Sequence, residues 1–431
     1  MSPLRAAWRD YRDAVGLFSR PARLYLLTEL LAWTCHGIFA VVFNLYLLEG
    51  GYRESFIGRA VSLNGLGMAL AALPAGMLAD RWGRRRCLLL GGALDAAAQF
   101  ARGSLLSPGA VLTGSFFAGA GQSLLAIAGA PFLTEHSTPR ERTHLFSTFF
   151  ATALLAGVIG SAAGGEIPAL LGALPEPLRP DRLHAYRGAL WIGALLNAAA
   201  CLPLLRLRGL AEPVLAQGHV AADPSVRRRL IPIALNSFLI GAGAGLVIPF
   251  MNLYFARRFS CSSSQIGVFF SLAAVFTAIA SLLGPALARR FGMLRTAVAA
   301  QLLSLPFLIT LGVEQRLEIA VAAFWIRATL MQASTPLVQA FVMEALPLSL
   351  RARSTSLNNM VWNGGWAVSA TLSGVIIQRF GYDVPFYITA TLYAIAATTF
   401  YLSFRGMVTE VGSQQISEEA KGRRGEGPMT E

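Results

Sequence analysis

Apolar stretches of about 20 residues, the length needed to cross a bilayer's hydrocarbon core, recur from Arg23 to Phe404 with short polar breaks between them. Twelve are expected, at approximately 23–48, 55–80, 87–107, 109–135, 144–173, 186–205, 230–256, 263–288, 293–313, 317–345, 353–378 and 384–404. The pattern predicts an all-α polytopic membrane protein. Ahead of the first span, Leu4, Trp8, Tyr11, Val15 and Phe18 recur at three- and four-residue spacing, with Arg5, Arg9 and Arg12 off that stripe. Such a pattern suits a helix lying on the membrane surface. A cleaved signal peptide is not expected, because the first apolar stretch is a full span and no small-residue cleavage site precedes it.

The chain also repeats itself. Phe43-Asn44-Leu45-Tyr46 returns as Met251-Asn252-Leu253-Tyr254, 208 residues later. After one inserted residue the offset becomes 209: Ser55-x-Ile57-Gly58 matches Ser264-x-Ile266-Gly267, and Leu78-Ala79-x-Arg81-x-Gly83 matches Leu287-Ala288-x-Arg290-x-Gly292. Glu135 and Arg142 match Glu344 and Arg351. One register held that long implies two six-helix halves related by a pseudo-twofold axis along the membrane normal, with a substrate site near the midplane between them. The organisation is then a surface segment (1–22), a first half (23–205), a polar linker (206–229), a second half (230–404) and a short polar tail (405–431). The composition of that tail suggests disorder.

Composition agrees with a chain solvated mostly by lipid. It is 55% hydrophobic and 14% charged, against roughly 45–50% and about 25% for soluble domains. The net charge of +13 raises the question of nucleic acid, and the positions of the basic residues answer it. Most of the 36 lie in the N-terminus, the even-numbered loops and the C-terminus, while Arg59 and Arg327 fall inside spans. By the positive-inside rule both termini and the linker are cytoplasmic, in a prokaryotic cytoplasmic membrane. The basicity therefore reads as topology and attraction to anionic lipid, with no nucleic-acid partner. The four cysteines, Cys35, Cys87, Cys201 and Cys261, show no disulfide framework or metal-type pair.

The loop after the second span reads Gly76-Met77-Leu78-Ala79-Asp80-Arg81-Trp82-Gly83-Arg84-Arg85-Arg86. It resembles the signature loop of the major facilitator superfamily, and the resemblance covers residues 23 to 404. It implies twelve helices, with helices 1, 4, 7 and 10 lining a central cavity. It also implies a conformational latch made by Gly76, Asp80, Arg81, Gly83 and Arg84, with the Asp80 carboxylate against the start of helix 11 in the outward-facing state. A carboxylate at the C-terminal end of its own helix is disfavoured by the macrodipole and so needs an arginine or another helix's N-terminus. The second copy has Arg289 and Pro285 where the first has Asp80 and Gly76, so only the first half is expected to carry the latch. Glu135 with Arg142 and Glu344 with Arg351 are candidate gate charges. In helix 5, Gly157, Gly160, Ser161, Gly164 and Gly165 form a small-residue stripe that permits close packing. It is similar to the superfamily's antiporter motif, but Ser161 replaces the proline and the first glycine is one residue nearer.

Some chemistry is excluded. A phosphate-binding Walker A loop needs a lysine, and the sole lysine, Lys421, lies beyond the last span. No HExxH occurs, so neither an enzyme, a metal nor a cofactor is expected.

A charge at the bilayer centre costs about 2.5–3.5 kcal/mol on insertion scales, so the ionisable residues inside spans carry the functional expectations. Glu29 and His36 share a face of helix 1 with Trp33 between them. They are candidates for proton coupling, with Asp95 of helix 3 next. Arg327 of helix 10 is a candidate for holding an anionic group. Trp33, Asn44, Gln122, Asn236, Asn252 and Gln332 are further cavity candidates. The expectation is a monomeric secondary active transporter that uses protons to export a small amphipathic molecule by alternating access. Alternatives are uptake of an organic anion or nutrient and, in a different class, a non-transporting membrane sensor.

Overall fold

The computed structural model describes residues 15–207, 224–345 and 348–425. Side chains at 344–345, 348–356 and beyond 405 are among those not described. The side chains of the gate candidates Glu344 and Arg351 therefore lie outside what is described, as do the surface-helix positions Leu4, Trp8 and Tyr11 and linker residues 208–223. Twelve long helices form where hydropathy places the spans. In the first half these are α1 (Arg20–Glu49), α2 (Glu54–Trp82), α3 (Arg84–Ser104), α4 (Pro108–Glu135), α5 (Pro139–Gly172) and α6 (Arg182–Ala199). In the second they are α7 (Pro224–Val247), α8 (Ser263–Phe291), α9 (Met293–Val313), α10 (Leu317–Ala345), α11 (Leu348–Phe380) and α12 (Asp383–Gly425). Ten candidate spans among the described residues are long and apolar enough to cross a membrane. Helical backbone continues through the polar tail to Gly425, where composition suggests disorder; Glu418, Glu419, Ala420 and Lys421 are good helix formers.

Local sequence accounts for the helix ends. Ser19 caps α1, accepting from the amide of Ala22, with Pro21 in the first turn. Thr138 and Glu141 form a capping box on α5, and Ser262 with Gln265 does the same on α8. The repeat is legible in the backbone as well. Gly83 and Gly292, matched positions between α2/α3 and α8/α9, have φ of 85° and 84°, a region where a side chain is strained. Gly51 and Ser260, also matched, have φ of 87° and 55°.

The halves meet along two equivalent crossings, α5 against α8 and α2 against α11. Small residues make both possible. A Cβ on Gly165 would lie 2.9 Å from Gly267 Cα, and one on Gly58 would lie 3.2 Å from Gly374 Cα. The stripe on α5 faces two ways: Gly160 and Gly164 admit α1, while Ser161 and Gly165 admit α8. Both crossings lie toward the end of the bundle away from the termini. There one apolar core runs through both halves, from Cys35 and Tyr46 to Tyr254 and Tyr393. At the terminal end each half has its own core, around Tyr25 and Phe132 in the first and around Phe341 and Phe400 in the second. The bundle is thus joined at one end and parted at the other.

Candidate functional site

A cavity of about 850 Å³ opens between the parted halves. It lies almost wholly against the second half. The face of α10 that recurs as Arg327, Met331, Thr335, Val338 and Val342 forms one wall, and Ile233, Asn236, Ile240 and Ala244 of α7 form another. Phe270 of α8, Gln301 of α9, Trp362 of α11 and Tyr393 of α12 complete it. Among the described residues, the first half contributes Ala40 of α1 with Leu154 and Ser161 of α5. This corrects, for α4, the expectation that helices 1, 4, 7 and 10 all line the cavity: α4 supplies no lining residue among those described, and α1 supplies one.

Arg327 is the single charged residue among those described on the cavity wall. It is 4% exposed. One Nη lies 3.4 Å from the Tyr393 hydroxyl, with the guanidinium 6.0 Å from that ring's centre. No carboxylate pairs with it among the described residues, and its Nε has no partner. Asn236 Oδ1 and Gln301 Oε1 are likewise buried and unpartnered. Gln332 lies on the same wall.

Asn44 and Asn252 leave the cavity set. These repeat mates meet in the joined end, 6% and 1% exposed. Asn44 Nδ2 donates to the Pro249 carbonyl at 2.5 Å and to Asn252 Oδ1 at 3.2 Å, and Asn252 Nδ2 donates to the carbonyls of Ala40 and Val41 at 3.2 and 3.0 Å. A 3-10 turn at Ile248–Phe250 breaks the seventh span beside them, before the short helix Met251–Arg258. The Pro249 carbonyl in that break needs a donor, and Asn44 supplies it.

The first half holds a closed polar cluster instead. Asp95 is fully buried and accepts from Gln99 and Gln122 at 3.2 Å each and from Asn197 at 2.8 Å. His36 Nε2 lies 3.1 Å from Oδ2, the oxygen that Asn197 also holds, while the two glutamines share Oδ1. Gln99 Oε1 in turn accepts from Arg102 at 2.5 and 2.9 Å, and the guanidinium lies over Phe39 and Phe43. Gln122 therefore serves the cluster, and does not line the cavity. His36 turns to Asp95 and not to Glu29, whose buried carboxylate accepts from Trp33 at 2.9 Å. Trp33 is 45% exposed and is not among the cavity-lining residues.

The family model for the Major Facilitator Superfamily matches residues 25–229 and 233–427. The chain belongs to the major facilitator superfamily. It is therefore a secondary transporter of small molecules with the superfamily's all-helical membrane fold, and not an enzyme. Among curated relatives, it is similar to an uncharacterized MFS-type transporter, YdeE, of Escherichia coli (strain K12), at 23% identity over 166 residues. That match spans 38% of this chain and 42% of the relative. A bacterial homologue of the human lysosomal transporter Spinster, in an inward-facing unoccupied conformation, shares the fold with a TM-score of 0.72 at 16% identity, over 90% of this chain and 97% of that one. A D-xylose–proton symporter does so with a TM-score of 0.68 at 13% identity, over 91% and 97%.

In this superfamily member the signature loop is folded back on its own half. Arg84 donates to Asp80 at 3.0 Å and to Glu135 at 3.2 Å. Arg81 is exposed, and nothing lies within 4 Å of where a Cβ on Gly76 would be. Glu135 and Arg142 do not pair. Arg142 donates to the carbonyls of Thr134 and Ser137 at 3.3 and 3.0 Å, capping the end of α4, where a cation suits the helix dipole. Gln99, Arg102 and Asn197 were not among the sequence candidates. Asp95, Gln99 and Arg102 stand at i, i+4 and i+7, one face of α3, and that spacing was the available signal.

Proposed function

We propose that this chain is a proton-coupled transporter that exports small amphipathic compounds across a prokaryotic cytoplasmic membrane, both termini cytoplasmic. The observation that carries the reading is the largely apolar cavity between halves that are joined at one end only. With the termini inside, that cavity faces the cytoplasm, the side from which an exporter loads. Glu29, His36 and Asp95 are the proton-coupling candidates, and all three lie in the half that contributes least to the cavity. Separate sites suit coupling through the relative motion of the halves, because a ligand and a proton need only prefer different arrangements of the same two bodies. The latch then belongs to the other state: Asp80 exchanges Arg84 for the start of α11 when the parted end closes.

A second reading, uptake of an organic anion, draws support from Arg327. Both readings are tested with the purified chain in proteoliposomes of known orientation, with a proton gradient imposed in either sense. Export predicts solute moving against the direction of proton flow, and uptake predicts the two moving together. No flux of any solute in either case would leave the membrane-sensor reading. Orientation is tested with reporters fused after Leu205, after Phe404 and near Pro177. The first two are expected in the cytoplasm and the third outside, and a cytoplasmic signal at Pro177 would overturn the topology.

A further inference from the structure

We infer that the cavity is built for a monoanion with an apolar body, its acid group held by Arg327 and a separate hydrogen-bond donor met by Asn236 or Gln301. The inference rests on the transport reading for its purpose, and it goes beyond that reading by naming the chemistry of the solute.

The argument begins with an uncompensated charge. A guanidinium stays charged in proteins, and holding one out of water without a partner costs several kcal/mol. In folded proteins such groups are paired almost without exception. Arg327 has the Tyr393 hydroxyl and ring, both neutral, and nothing anionic among the described residues. Its unpartnered Nε is one prong of the planar fork that matches a carboxylate or phosphate with two parallel hydrogen bonds. An anion entering the cavity would therefore meet a guanidinium already stripped of water.

The second observation is independent of charge. Three of the four buried side-chain atoms without a partner among the described residues are Arg327 Nε, Asn236 Oδ1 and Gln301 Oε1, and all three residues line this cavity. They come from α10, α7 and α9. Buried polar atoms are ordinarily satisfied, so three unmet positions around one space describe the polar pattern of what fills it. Two of them are acceptors and face a donor, and the third is a cation. The rest of the wall is apolar or aromatic, with Ile240, Phe270, Phe324 and Phe400 among its residues. A volume of about 850 Å³ falls in the range of small-molecule sites. One cation in an apolar chamber sets the limit on charge. A second anionic group would be buried with no counterpart, so dianions are disfavoured.

The test uses 4-phenylbutyrate, its neutral amide 4-phenylbutyramide, the dianion phenylsuccinate, and a panel of alkyl and aryl carboxylates, sulfonates and phosphate monoesters. Thermal stabilisation of the full-length purified chain is read first. Stabilisation by monoanions but not by their neutral amides or by phenylsuccinate supports the inference, and this comparison needs no variant. Arg327→Gln is then expected to weaken the responding monoanions by about tenfold to a hundredfold, the worth of a hydrogen bond to a charged group, with Arg327→Lys retaining part of the response. Equal stabilisation by acid and amide, an unchanged response in Arg327→Gln, or no response to any anion of the panel at millimolar concentration would each overturn it. The same compounds in proteoliposomes separate the two claims. Monoanion binding without flux counts against transport and leaves the site; flux confined to neutral or cationic compounds keeps transport and removes the anion site.

Discussion

In the first half, Asp95 is surrounded by His36, Gln99, Gln122 and Asn197, and each of its oxygens is occupied. In the second half the matching position is Ser304, whose hydroxyl donates to the Gln301 carbonyl at 2.6 Å within its own helix. The reverse holds for Arg327, which has no anionic partner among the described residues, while its counterpart in the first half is Ala118, packed and fully buried. Two halves built on one repeat have thus diverged at their charges. One carries a charge that the fold completes by itself, and the other carries a charge that the fold leaves open. Conserved backbone, seen in the matched left-handed residues Gly83 and Gly292, holds both in the same frame. On the proposed function, the difference leaves structural and coupling duties to the first half and solute binding to the second.

The largest effect that would break this comparison is thermodynamic. Asp95→Ala removes the shared acceptor of four side chains and leaves His36 and Arg102 without their anion, so it should destabilise the chain by about 3–5 kcal/mol, the usual cost of breaking a buried pair. Arg327→Gln should do the opposite, leaving the melting temperature unchanged or higher, because it removes a buried charge that nothing compensates. Thermal unfolding of both variants in one detergent checks this. A loss from Arg327→Gln as large as that from Asp95→Ala would mean the guanidinium has a structural role, and the contrast between the halves would fall.

Next in size is coupling. Glu29 is hydrogen-bonded by the neutral Trp33 and feels His36 only through space, whereas Asp95 contacts that histidine directly. A carboxylate held by neutral donors can gain and lose a proton without breaking an ion pair, so Glu29→Gln should abolish proton-driven accumulation and retain downhill exchange. A gradient of one pH unit is worth roughly 1.4 kcal/mol per proton, about a tenfold concentration ratio, and that ratio should collapse to one. Accumulation at the wild-type level would move the proton site to His36 and Asp95.

Sequence made the repeat, the spans and Arg327 legible for a common reason: each is carried by residues close together or by a single residue out of place in its surroundings. The Asp95 cluster was not legible, because its partners arrive from α1, α4 and α6, at separations of 59, 27 and 102 residues. Read alone, Asp95 is a proton-coupling candidate without partners and Gln122 a cavity residue. Asn44 and Asn252 failed differently. They do face the partner half, as their shared position in the repeat implies, but hydropathy carries no information on which end of the bundle is joined, so their depth was misjudged.

A smaller effect concerns the latch, where the repeat copies differ as Asp80 and Arg289. Asp80→Asn should slow transport several-fold while leaving membrane insertion intact, and Arg289→Ala, on an exposed side chain, should be mild. Flux measured at equal amounts of inserted protein decides between them. Equal losses would show that the asymmetry at these positions has no functional weight.

The smallest predicted effect lies on the pseudo-twofold axis, where the halves are most alike. Asn44 and Asn252 occupy one repeat position and hydrogen-bond to each other, yet their other duties differ. Asn44 serves the Pro249 carbonyl, and Asn252 serves the carbonyls of both Ala40 and Val41. Asn44→Val takes the side-chain donor from the Pro249 carbonyl, whereas Asn252→Val takes a second donor from two carbonyls already in the α1 ladder and the acceptor from the Leu253 amide, so each should cost about 1–3 kcal/mol, the worth of one buried group left unmet. The direct amide pair at 3.2 Å is a separate quantity, isolated by the double-mutant cycle. Hydrogen bonds between helices in membranes average about 0.6 kcal/mol by that method, and the coupling here should be of that size. Thermal unfolding of the two single variants and the double variant measures it. A coupling near zero would mean that each amide stabilises the joined end only through the backbone of the opposite half, and that the contact between the repeat mates follows from the symmetry without adding to it.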